Sequence, residues 1–152
     1  VGDNAANKQY RSILSFNTAG IPDGAVITKV VLKIRGAGVS GANPFTTHGN
    51  LLVDIRKGAF ANSSALQTLD FQAAANKPGV MYFTNNPVNS WYSRALPSTG
   101  FIYINKGGLT QFRLRFALDD NNDSGADYIK FASGNYTTAA YRPVLVVEYY
   151  VP

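Results

Sequence analysis

The residue types best suited to chemistry are concentrated in Asp119-Asp120-Asn121-Asn122-Asp123-Ser124-Gly125-Ala126-Asp127, which holds four of the chain's nine acidic groups. Asp119, Asn121, Asp123 and Asp127 place oxygen donors at relative positions 1, 3, 5 and 9. Such donors can converge on one hard cation, and Ca²⁺ takes six to eight oxygens in flexible geometry. The stretch departs from the EF-hand pattern, because Gly125 comes one place late and the closing glutamate is missing. A Ca²⁺ ion here would stabilise a loop rather than activate water. The competing use is a polar turn whose Asn and Asp side chains bond their own backbone.

Basic and aromatic residues form the second group. Alternation puts Lys29, Lys33 and Arg35 on one side of one strand, and Arg113 and Arg115 on the solvent side of another. Ammonium and guanidinium groups merged across neighbouring strands would engage carboxylate or sulfate groups, arginine in bidentate fashion. Trp91, Tyr92 and Tyr103 lie near loops, where flat rings could stack on the apolar faces of sugars; burial in the core is the alternative. His48 sits in a Thr-Thr-His-Gly segment with no carboxylate close in sequence and reads as a solvated loop histidine.

Catalytic signatures are missing. There is no G-x-S-x-G elbow, no Gly-rich phosphate loop and no H-E-x-x-H, and cysteine is absent. Outside the acidic stretch only Asp3, Asp23, Asp54, Asp70 and Glu148 remain for acid–base work. Asp54 and Glu148 fall within strands and read as outward charges or as partners of Arg56 and Arg142. The expectation is a protein without enzymatic activity.

These residues are positioned by short strands. Val26 to Arg35 alternates, with Val26, Val30, Leu32 and Ile34 on one face, and Gln111 to Leu118 repeats the pattern with Phe112, Leu114, Phe116 and Leu118 inward. Tyr10 to Phe16, Leu51 to Lys57, Trp91 to Leu96, Tyr128 to Ala132 and Val144 to Val151 follow the same logic. Turn residues separate the runs at Ala19 to Gly24, Gly36 to Pro44, Asn85 to Pro87 and Lys106 to Gly108. One helix is predicted over Ser64 to Ala75. Strands at this spacing predict an all-β sandwich or jelly roll of about seven to nine antiparallel strands.

Length and composition agree with a single module over residues 1–152, 45% hydrophobic and 15% charged, with nine Tyr, nine Phe and 14 Gly. No run is long and apolar enough for a membrane span. No secretion signal opens the chain, so one would lie upstream of Val1 or have been removed. The formal charge of +5 favours polyanionic partners. The basic residues are spread along strands without an RNP-like motif, which argues against nucleic acid.

The order of motifs resembles a known family. Gln9-Tyr10-Arg11-Ser12-Ile13-Leu14-Ser15-Phe16-Asn17, then Ile21-Pro22-Asp23-Gly24-Ala25-Val26-Ile27 and Val31-Leu32-Lys33-Ile34, is similar to the opening signature of DNRLRE-type modules. Phe131-Ala132-Ser133-Gly134 and Tyr141-Arg142-Pro143-Val144-Leu145-Val146-Val147-Glu148-Tyr149 resemble the closing one. The stretch from Ser40 to Gly107 matches only loosely. Within the family the likeness is greatest to C-terminal modules of large Chloroflexota-type cell-surface proteins, which end as Tyr149-Tyr150-Val151-Pro152 does. The resemblance implies a jelly-roll module of an extracellular or cell-surface protein, in some relatives a carbohydrate-binding module for acidic polysaccharide. Family modules begin with a further strand, of which Val1-Gly2-Asp3 resembles the last residues. A sandwich lacking that strand would present an open edge able to accept a strand from another copy, so a self-assembling fibre or matrix subunit is the alternative function.

Overall fold

The computed structural model describes every residue from Val1 to Pro152. Ten strands run in the order β1 (Gly2–Asp3), β2 (Gln9–Tyr10), β3 (Ser12–Asn17), β4 (Val26–Gly41), β5 (Leu51–Lys57), β6 (Lys77–Phe83), β7 (Trp91–Ala95), β8 (Leu109–Phe116), β9 (Asp127–Phe131) and β10 (Val144–Tyr150). They form an all-β sandwich of two antiparallel sheets. The larger follows β10-β4-β9-β1-β2 with β7 attached to β4, and the smaller follows β3-β8-β5-β6. No helix is long and apolar enough to cross a membrane.

Alternation explains the layers. Val30, Leu32 and Ile34 of β4 face Leu51, Val53 and Ile55 of β5 and Phe112, Leu114 and Phe116 of β8, all at most 1% exposed. Burying each such side chain contributes about 1.5–3 kcal/mol. Phe45 closes one end of this core, stacked on Tyr92 with ring centroids 5.5 Å apart and set edge-on to Phe116 at 5.2 Å.

Local structure departs from the sequence reading at four places. The glycine-rich Gly36 to Gly41 continues β4 instead of turning, because it pairs with β9 through Gly36↔Phe131 to Gly41↔Asp127. Lys77–Phe83, not foreseen as a strand, pairs with β5 as an edge of the smaller sheet. The helix predicted over Ser64 to Ala75 shrinks to a 3₁₀ turn at Thr68–Phe71, held by reciprocal bonds between Gln67 and Asp70. A short helix, α1 (Pro44–Thr47), forms where Asn43 accepts from the Phe45 N–H and Pro44 opens the first turn. Val1 and Ile129 exchange two backbone hydrogen bonds, and Gly2–Asp3 pairs with β9 on one side and β2 on the other.

Candidate functional site

The outer face of the larger sheet gathers half of the predicted ligand-binding residues. Lys33 of β4 stands opposite Ser93 of β7 and Val144 of β10, and Arg35 stands opposite Trp91. Residues directly opposite in a sheet share a face, so these five side chains form two adjacent rows. Between β7 and the loop before it lies a groove of about 530 Å³, lined by Lys33, Asn86, Val88, Asn89, Trp91, Ser93, Ala140 and Val144.

Local backbone chemistry sets the groove wall. Val88 and Trp91 exchange both backbone hydrogen bonds at 2.9 Å around Asn89 (φ 50°) and Ser90 (φ 68°). Positive φ at both central residues is the two-residue hairpin geometry that matches the twist of the flanking strands. The Ser90 carbonyl accepts from the Gly36 N–H at 2.9 Å, tying the turn to β4. Trp91 is thereby held half-buried with Asn89 beside it.

The charges on this face differ in how they are engaged. Lys29 is neutralised by Glu148 at 2.8 Å, whereas the exposed Lys33 has no carboxylate partner. The Arg35 guanidinium lies 3.7 Å from the centroid of the Tyr141 ring, also without a carboxylate. A cation on an aromatic face keeps its remaining N–H donors for a ligand. The largest hollow, about 660 Å³ between β3 and Gly134–Pro143, has its one cation, Arg142, bonded to the Tyr136 carbonyl.

The other predicted ligand-binding residues lie elsewhere. Arg113 and Arg115 were expected on a solvent face, but Arg113 is only 6% exposed. Its Nε and Nη2 donate to Asp54 Oδ2 at 3.0 and 2.8 Å, and its Nη1 donates to the carbonyls of Asp70, Phe71 and Ala73. Arg115 Nε donates to the same Asp54 oxygen at 3.1 Å. The cause is the segment from Gly58 to Asn76, which crosses the outside of the smaller sheet and lays Phe60 under the Arg113 guanidinium. Burial tends to raise the Asp54 carboxyl, but hydrogen bonds from Arg115, the Gly79 N–H and Arg113 outweigh it and hold Asp54 below the usual carboxylate range. The Tyr92 ring is in the core, where burial pushes its hydroxyl pKa up, and Tyr103 packs against that core.

The predicted Ca²⁺ ligands also part company. The Asp119 carboxylate is taken by Arg11 in a two-pronged ion pair. Asn121 donates to Asp123 and to Asp127, and Asp123 accepts from the Gly125 N–H at 2.6 Å, so part of the stretch is the self-bonded turn. Asp127 instead turns inward to join two residues that sequence reasoning had not linked to it, Asp3 and His48. His48, expected in solvent, is 2% exposed. No local pattern announces that trio, because its members lie far apart in the chain.

No protein-family model, no curated protein and no solved structure matches the chain. The chemistry of the groove and of the buried polar groups is what bears on function.

Proposed function

We propose that this chain is a non-catalytic extracellular module that binds acidic polysaccharide through the outer face of its larger sheet. The observation that carries the reading is the groove that joins the half-buried Trp91 ring, the unpaired Lys33 ammonium and the amides of Asn86 and Asn89. An indole face accepts the apolar side of a pyranose, and the ammonium and amides satisfy its carboxylate and hydroxyls. Arg35, one row away, continues the positive face for a second acidic residue of a polymer. Of the acids left for acid–base work, Asp54 is occupied by Arg113 and Arg115 and Glu148 by Lys29, rather than by Arg56 and Arg142, which supports binding without cleavage.

Affinity electrophoresis or calorimetry against a polyuronate and a neutral glucan tests this. The polyuronate should bind, more weakly as salt rises, since exposed charges are screened. Trp91→Ala and Lys33→Ala should each weaken binding about tenfold, the loss of about 1.4 kcal/mol expected for one charge-assisted or stacking contact. Equal retention of both variants, or no polyuronate binding at millimolar concentration, would refute the assignment.

A further inference from the structure

Asp3, His48 and Asp127 are brought together from β1, the C-terminal end of α1 and the start of β9, and all three are at most 2% exposed. One donor atom from each lies within 4.8 Å of the others. His48 Nε2 is 3.3 Å from Asp3 Oδ1, and neither that nitrogen nor either Asp3 oxygen has a hydrogen-bond partner. An unpartnered buried carboxylate is costly, and its persistence in a fold calls for a proton or a cation. The partly buried Asp120 carboxyl neighbours Asp3 but stands outside the trio. Arg11, the cation at the neighbouring Asp119, is already engaged there.

We propose that Asp3, His48 and Asp127 form a structural site for a divalent transition-metal ion of the Zn²⁺ type. Donors bonded tetrahedrally to such an ion at about 2.0–2.2 Å lie about 3.3–3.6 Å apart; His48 Nε2 and Asp3 Oδ1 already stand at 3.3 Å, whereas Asp127, whose Oδ2 is 3.9 Å from His48 Nδ1, must draw in toward them. The imidazole decides the class of ion: Ca²⁺ is satisfied by six to eight oxygens, whereas a nitrogen with two carboxylates suits Zn²⁺ and its neighbours. The surroundings orient His48 and Asp127. Thr47 Oγ1 lies 2.7 Å from His48 Nδ1 and can accept its proton, leaving the Nε2 lone pair for the metal. Asn121 Nδ2 donates to Asp127 Oδ2 at 3.0 Å. The ion would clamp α1 to β1 and β9, which are already paired with each other.

The chain stripped with EDTA and passed over a gel-filtration column should take up one equivalent of Zn²⁺, counted by elemental analysis. At a hundredfold excess over Kd the melting temperature should rise by about 5–10 °C, with little change when Ca²⁺ replaces Zn²⁺ at the same concentration. His48→Gln should bind Zn²⁺ at least tenfold more weakly. In EDTA, Asp3→Asn should melt no lower than the unsubstituted chain, because it removes an unpartnered charge, yet it should gain nothing from Zn²⁺. Sub-stoichiometric metal without a thermal shift, or stabilisation by Ca²⁺ alone, would overturn the assignment. So would an equal loss of stability in Asp3→Asn with and without metal, which would mean that Asp3 serves an ion pair with protonated His48.

Discussion

Asp54→Ala isolates the polar cluster beneath the Gly58 to Asn76 segment. Asp54 is fully buried; its Oδ2 accepts three guanidinium N–H bonds and its Oδ1 accepts the Gly79 N–H at 2.8 Å. Removing it leaves the Arg113 charge buried without a counter-ion, while the carbonyls of Asp70, Phe71 and Ala73 still hold Nη1. Breaking one side of a buried pair costs about 3–5 kcal/mol. For a chain of this length that is a fall in melting temperature of about 6–20 °C. Urea unfolding followed by the fluorescence of the single Trp91 and by circular dichroism reads the loss. The double substitution Asp54→Ala with Arg113→Met should recover about 1–3 kcal/mol relative to the sum of the single losses, since the methionine meets the Phe60 ring without a stranded charge. A cost for Asp54→Ala below about 1 kcal/mol, or additivity within about 0.5 kcal/mol, would show that the cluster is not a mutually dependent ion pair.

Three further outcomes follow. Because the folded state holds the Asp54 pKa below its unfolded value, its contribution is complete above the ordinary carboxylate value of about 4 and is lost as pH falls through the lower folded value. The urea midpoint of the unsubstituted chain should therefore drop on acidification more steeply than that of Asp54→Asn, and parallel pH profiles would contradict this. Gly41→Ala places a Cβ 1.5 Å from the Ala126 carbonyl oxygen at φ +72°, so it should separate β4 from β9 and cost at least about 2 kcal/mol in denaturant unfolding, whereas Gly20→Ala, with open space around it, should cost little. Arg115→Ala should lower stability yet leave polyuronate affinity unchanged, with Lys33→Ala doing the reverse; affinity electrophoresis beside thermal melts separates the two.

Much of the fold was legible in the chain itself. The period-2 alternation of Val26 to Arg35 and Gln111 to Leu118 identified strands, and which residues share a face, because pleating leaves no other choice. Lys33, Arg35 and Trp91 were recognisable as candidates from residue type and position, and the structure places them in neighbouring rows of one face. Alternation says nothing about what covers a face. Arg113 looked like a solvent residue and is buried, because Phe60 and the carbonyls of the 70–73 segment close over it from a loop at least 40 residues away. The same limit hid the buried trio. Asp127 carried a signal of its own, but Asp3 and His48 become its neighbours only through the pairing of β1 with β9 and the docking of α1 beside them. Local sequence fixes the backbone's period and the direction of each side chain within a strand. Which charges leave water, and which donors meet, is decided by long-range pairing, since only tertiary contact removes solvent from both faces of a sheet.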